Sequence, residues 1–123
     1  MQVEQVDFVS FLTQDIPRAK RFYAETLGFA IETEGESDME FTCGQVTLDI
    51  FDPSSIGQPF AASPAGLALR VPDVAASRAE LEAKGVEFDG EIVDTGVCHM
   101  TFFKDPDGNA LMLHRRYTPR ESS

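Results

Sequence analysis

The chain has 123 residues, 42% of them hydrophobic and 25% charged, which is the size and composition of one globular domain able to bury a core without disulfide or metal staples. Its formal net charge of −11, with only 10 Lys and Arg against 21 Asp and Glu, excludes nucleic acid as an expected partner, since backbone binding needs a basic surface. Such an acidic surface serves solubility, and it also attracts cationic ligands.

The start, Met1 to Gln5, lacks a basic segment followed by an apolar one, and no apolar run approaches the roughly 20 residues that cross a bilayer. The expected location is the cytoplasm, with no membrane partner. Cys43 and Cys98 lie far apart in sequence with no Cys-x-x-Cys spacing, which favours reduced, structural thiols.

In chain order, Val6 to Phe11 is strand-like. Asp15-Ile16-Pro17 then reads as an N-cap followed by a proline in the first helical turn. A helix is expected through Leu27, with Ala19, Phe22, Tyr23 and Leu27 on one face and Gly28 as its stop. Strands follow at Phe29 to Thr33, Met39 to Cys43 and Val46 to Phe51. The segment 53–64, rich in proline and serine, reads as a linker. The pattern then repeats. Leu67 to Val71 is a strand, Asp73 an N-cap, and Val74 to Lys84 a helix ended by Gly85, with Val74, Ser77 and Leu81 inward and Arg78 solvated on the flank. Strands at Val86 to Phe88, Cys98 to Phe103 and Ala110 to His114 complete the second half.

The two N-caps, Asp15 and Asp73, are 58 residues apart, so the chain reads as an internal duplication. The expected fold is α+β: two βαβββ modules, about 1–52 and 65–117, forming a curved mixed sheet around a concave pocket with helices on the outer face. The polar tail 118–123 is expected to fray.

The last hairpin carries the strongest local signal. In Asp105-Pro106-Asp107-Gly108-Asn109, Pro106 presets φ at the first corner and Gly108 supplies φ > 0, with Asp105 and Asn109 able to bond nearby backbone.

Strand alternation sorts the side chains. Val9, Phe11, Val46, Leu48, Ile50, Leu67, Leu69, Val71, Leu111 and Leu113 belong under the helices. The opposite set includes Phe8, Ser10, Thr47, Asp49, Phe51, Arg70, Met112 and His114, and Phe102 joins it from the neighbouring strand. Its mixture of aromatic, small and polar groups suits a pocket wall. The alternative is that Phe8, Phe51 and Met112 pack against one another or a second subunit.

Paired modules of this kind, Asp15-Ile16-Pro17-Arg18-Ala19-Lys20-Arg21-Phe22-Tyr23 with Leu27-Gly28-Phe29, and the closing Phe103-Lys104-Asp105-Pro106-Asp107-Gly108-Asn109 resemble the vicinal oxygen chelate superfamily. That group holds glyoxalase I, bleomycin resistance proteins, extradiol dioxygenases and fosfomycin resistance enzymes. The resemblance implies a divalent metal in the metal-dependent members, ligated from the opening and closing strands. Here the matching positions are Phe8, Asp49, Gly66 and Met112, and only Asp49 offers a good oxygen ligand. A displaced triad of Asp49, His99 and His114 is conceivable, since His114 lies about 6.5 Å beyond Met112 on the same face, although alternation turns His99 the other way.

The expectation is therefore a metal-independent small-molecule binding protein without a cofactor, taking an aromatic or cationic compound. Phe8, Phe51, Phe102 and Met112 would be walls, and Asp49, Arg70 and His114 orienting groups. Arg70 would hold a ligand's carboxylate or phosphate, or pair with Asp49. The rival is a glyoxalase-, dioxygenase- or isomerase-like enzyme with a relocated metal, or with Asp49 or His114 as general base. A homodimer is the expected assembly, with the pocket formed within one chain or across two.

Overall fold

A computed structural model describes residues 1–119; of the tail expected to fray, 120–123 lie outside the described residues. Each half has the order expected. The first runs β1 (Phe8–Leu12), α1 (Ile16–Lys20), β2 (Ala30–Glu34), β3 (Asp38–Cys43) and β4 (Val46–Phe51); the second runs β5 (Leu67–Arg70), α2 (Val74–Ala83), β6 (Phe88–Asp94), β7 (Cys98–Lys104) and β8 (Ala110–Arg116). The strands form two four-stranded sheets, ordered β1-β4-β3-β2 and β5-β8-β7-β6. In each, the first strand pairs parallel with the last and the remaining pairs are antiparallel. The chain divides into two compact units: Met1–Ser63 with Asp105–Asn109, and Pro64–Lys104 with the described residues from Ala110 onward.

Local chemistry sets the helix starts. Asp15 Oδ1 accepts from the Arg18 amide at 3.0 Å, and Asp73 Oδ1 from the Ala76 amide at 3.0 Å, each satisfying a donor with no partner inside the helix. The first helix differs from the single α-helix expected through Leu27. After Lys20 it widens into π winding over Arg21–Thr26, closed by the Leu27 amide on the Phe22 carbonyl at 2.9 Å. Ala19 and Tyr23 are its fully buried side chains, while Phe22 and Leu27 are half-buried.

Of the residues alternation assigns under the helices, Phe11, Leu48, Ile50, Leu69, Leu111 and Leu113 are buried, while Val9, Val46, Leu67 and Val71, nearer the strand ends, are half-buried. Phe11, Met39, Phe41, Leu48 and Ile50 fill the core of the first unit, and Leu69, Val74, Leu81, Phe103, Leu111 and Leu113 that of the second. Arg78, expected in solvent, is drawn in instead, its side chain only 16% exposed. It donates to the Gly90 carbonyl at 2.9 Å and to Thr101 Oγ1 at 2.8 Å, and its guanidinium lies 4.9 Å from the Phe88 ring centroid. The cause is β6, which extends to Asp94 through an irregular register beginning after Asp89 and so brings a free carbonyl to the helix. Arg78 satisfies that carbonyl and the buried Thr101 hydroxyl together.

The Asp105–Asn109 turn closes as its residues predict. Gly108 has φ +89°, its amide reaches the Asp105 carbonyl at 3.0 Å, and the Asp105 amide reaches the Asn109 carbonyl at 3.0 Å. Its acidic side chains have a second role within the first unit. Buried Asp105 accepts from the Tyr23 hydroxyl at 2.7 Å, from Asn109 Nδ2 at 2.8 Å and from the amides of Asp107 and Asn109 at 2.9 Å each. Asn109 Nδ2 also donates to the Leu12 carbonyl at 2.8 Å, and its Oδ1 accepts from the Ser63 amide at 2.8 Å. Asp107 accepts from the Thr13 hydroxyl, the Gln14 amide at 2.9 Å and Arg18 Nη2 at 2.7 Å. Burial beside Asp105 and Asp107 pushes the Tyr23 phenol far above its ordinary range, so it serves as a hydrogen-bond donor and not as an acid.

Candidate functional site

The candidate residues fall into two sets, one on each sheet. In the first unit, Phe8, Ser10, Thr47, Asp49 and Phe51 share the face away from the buried Phe11, Leu48 and Ile50, because Ser10 stands beside Asp49 and Leu12 beside Phe51 in the parallel β1–β4 pairing. Ser10 Oγ donates to Asp49 Oδ2 at 2.9 Å. Thr47 is already engaged with the Glu32 carboxylate. Phe8 is 56% exposed.

Across β3–β4, Glu40 lies directly opposite Asp49, and Asp38 opposite Phe51. Partial burial, followed by the neighbouring Asp38 and Glu40 charges, raises the Asp49 carboxyl above its ordinary value despite the opposing Ser10 hydrogen bond. Sequence reasoning named Asp49 but missed Asp38, Glu40 and Glu32. The signal is present in the sequence: Asp38, Glu40 and Thr42 alternate with the apolar Met39 and Phe41 along β3.

In the second unit, Arg70, Phe102, Met112 and His114 share one face. Arg70 pairs with His114 and Ala68 with Met112 in the parallel β5–β8 ladder, while Phe102 faces Met112 and Met100 faces His114 across β7–β8. Strand β8 runs two residues past the expected end at His114, and alternation places Arg116 on the same face. Arg70, His114 and Arg116, with Tyr117 and Thr118, line an open hollow of about 500 Å³. Arg116 and Tyr117 were missed because the polar run after His114 reads as the end of a strand, whereas the ladder persists through Arg116 opposite Cys98.

Two members of the displaced metal triad, His99 and His114, do not share a face of their sheet. His99 pairs with Arg115 on the face opposite His114; its Nε2 is 3.4 Å from Asp94 Oδ2 and its ring lies tilted against Tyr117, 4.8 Å between centroids. Arg70 has no ion pair among the described residues. Within the first unit, Asp49 takes a hydrogen bond from Ser10.

The residues at the implied ligand positions do not fit a divalent metal. Phe8 has no donor, and Met112 offers a thioether poorly matched to hard cations. Gly66 has φ +79°, a conformation a histidine rarely adopts, and a Cβ there would lie 3.3 Å from Met112 Cε. Among the described residues no three His, Cys, Asp or Glu side chains are grouped as metal ligands.

Two βαβββ units with these sheet orders and helix caps define a class of protein. The family model of the Glyoxalase/Bleomycin resistance protein/Dioxygenase superfamily matches residues 5–113, and the chain belongs to that superfamily. Among its relatives is YaeR of Escherichia coli (strain K12), an uncharacterized protein 29% identical over 93% of this chain and 98% of its own. Among solved structures, TnmS3, an antibiotic binding protein from Streptomyces sp. CB03234, is 30% identical with a TM-score of 0.77, covering 94% of this chain and 98% of that one. A glyoxalase/bleomycin resistance protein/dioxygenase from Nocardioides shares the fold at a TM-score of 0.81 and 16% identity, covering 100% of this chain and 92% of that one. Among the described residues no helix is long and apolar enough to cross a membrane.

Proposed function

We propose that the protein binds a small organic molecule with an aromatic or otherwise planar body, and does so without a divalent metal at the superfamily's usual positions. The observation that carries this reading is the donor set: of the four matching positions only Asp49 is a hard ligand, and Gly66 has a backbone that disfavours any side chain. The hollow beside Arg70 and His114 supplies a place for a ligand. Likeness to an antibiotic binding protein favours sequestration over turnover. The working form we propose is a cytoplasmic homodimer, which native mass spectrometry tests.

Chelator-treated protein titrated calorimetrically with Zn²⁺, Ni²⁺ and Mn²⁺ is expected to show no stoichiometric site. A tight site of unit stoichiometry that disappears in Asp49→Ala would overturn the metal-free reading. One observation favours the rival enzyme: the raised Asp49 carboxyl, beside two further carboxylates, is a candidate acid or base. Turnover of any superfamily-type substrate by the metal-free protein, lost in Asp49→Asn, would decide for it.

A further inference from the structure

Among the described residues of the second unit, cations gather where anions do not. Acidic residues outnumber Lys and Arg by about two to one in this chain, 21 to 10. Yet the hollow beside β8 is lined by Arg70, His114 and Arg116 from one sheet face, with Arg115 between the last two in sequence, and among the described residues by no Asp or Glu. None of the three arginines has an ion pair among the described residues. The Nε of Arg116 is moreover buried without a hydrogen-bond partner. Elsewhere four cations pair with acids, Arg18 with Asp107, Lys20 with Glu34, Arg78 with Glu82 and Lys84 with Glu80, while Arg21 and Lys104 have no ion pair among the described residues. Clustered guanidiniums repel one another, and a buried N–H without an acceptor is costly; an oxyanion placed among them removes both penalties.

From this geometry we infer that the hollow is an oxyanion subsite, holding the carboxylate or phosphate of a small organic anion between Arg70 and Arg116, with His114 as a further polar contact. The fork of N–H groups on each guanidinium matches two oxygens of such a group. Tyr117 borders the same hollow. Its hydroxyl donates to Asp94 Oδ1 at 2.8 Å, and its ring lies 4.8 Å from the His99 ring at an interplanar angle of 37°. This inference rests on the small-molecule reading above and sets an anionic ligand against the cationic one expected from the sequence, because the groups lining the site outweigh the charge of the chain as a whole at contact distance.

The test is amide NMR of the full chain, titrated separately with phenyl phosphate, benzoate, inorganic phosphate, phenol and benzylammonium at millimolar concentration. Phenyl phosphate or benzoate is expected to shift the amides of Arg70 and of 112–118 along a saturating curve, and the stronger of the two identifies the oxyanion. Inorganic phosphate should move the same amides more weakly, and phenol should bind at least about tenfold more weakly than the better anion. Added salt should weaken the anions and leave phenol unaffected. The Arg70→Gln/Arg116→Gln variant, its fold verified from its own amide spectrum, should lose about tenfold or more in anion affinity. Anion binding unchanged in that variant overturns the subsite. If phenol or benzylammonium saturates while the anions do not, the oxyanion inference fails and small-molecule binding stands. If no probe saturates, the oxyanion inference falls and the small-molecule reading loses its site in this hollow.

Discussion

Removing the Tyr23 hydroxyl isolates one hydrogen bond of the buried network around the last turn. In Tyr23→Phe the ring keeps its neighbours, with Phe22 at 5.2 Å, Phe41 at 5.6 Å and Phe29 at 6.0 Å between centroids. Only the 2.7 Å bond to Asp105 is lost. Asp105 retains Asn109 Nδ2 and two backbone amides as donors, so no acceptor is abandoned, and the loss should be about 2 kcal/mol, the range for a hydrogen bond to a charged group. With a urea dependence of roughly 1–3 kcal/mol per M, the midpoint of unfolding by circular dichroism should fall by about 1 M with unchanged slope. Asp105→Ala should cost at least twice as much, because it leaves the Tyr23 hydroxyl and two amides without that acceptor, each buried donor costing about 1–3 kcal/mol.

The same bond predicts a pH signature. Folding raises the Tyr23 phenol above its ordinary value of 10.0, so its contribution is intact below that value and is lost as pH rises above it. Wild type should therefore lose stability above pH 10 more steeply than Tyr23→Phe. A midpoint change too small to measure in Tyr23→Phe, or equal costs for Tyr23→Phe and Asp105→Ala, would refute the assignment of this network as the anchor of the turn.

Two further substitutions test other parts of the structure. Asp49→Asn should stabilise the protein at neutral pH by about 0.2–1 kcal/mol, the scale of a like-charge cross-strand pair. Because folding raises this carboxyl from 3.8, its cost is absent below that value and appears as pH rises, so thermal melts of variant and wild type should converge in acid. Arg78→Lys should lose about 1–2 kcal/mol in chemical unfolding, since an ammonium cannot both hold Gly90 and Thr101 and stack on Phe88; equal stability would show that the partly exposed Glu82 pairing and simple charge suffice.

The sequence by itself determined the architecture. Asp15 and Asp73 begin helices because their side chains satisfy orphan amides, alternation assigns Leu48, Ile50, Leu111 and Leu113 to the core, and Pro106 with Gly108 dictates the turn. These are local rules, readable within a few residues. The candidate faces were legible for the same reason, as were Phe8, Asp49, Arg70 and His114 on them.

What only the tertiary structure decided involves partners distant in sequence. Nothing near Asp107 announces that it receives Thr13, Gln14 and Arg18, or that Tyr23 reaches Asp105 as the first helix widens into π winding. Arg78 reads as a solvated flank until β6 offers it a carbonyl, and Glu40 becomes a perturbation of Asp49 only through strand register. The character of the hollow is likewise a tertiary fact. A chain acidic overall gathers Arg70 and Arg116, neither ion-paired among the described residues, at one hollow because charge acts over the few ångströms that folding sets, and net composition carries no information about that distance.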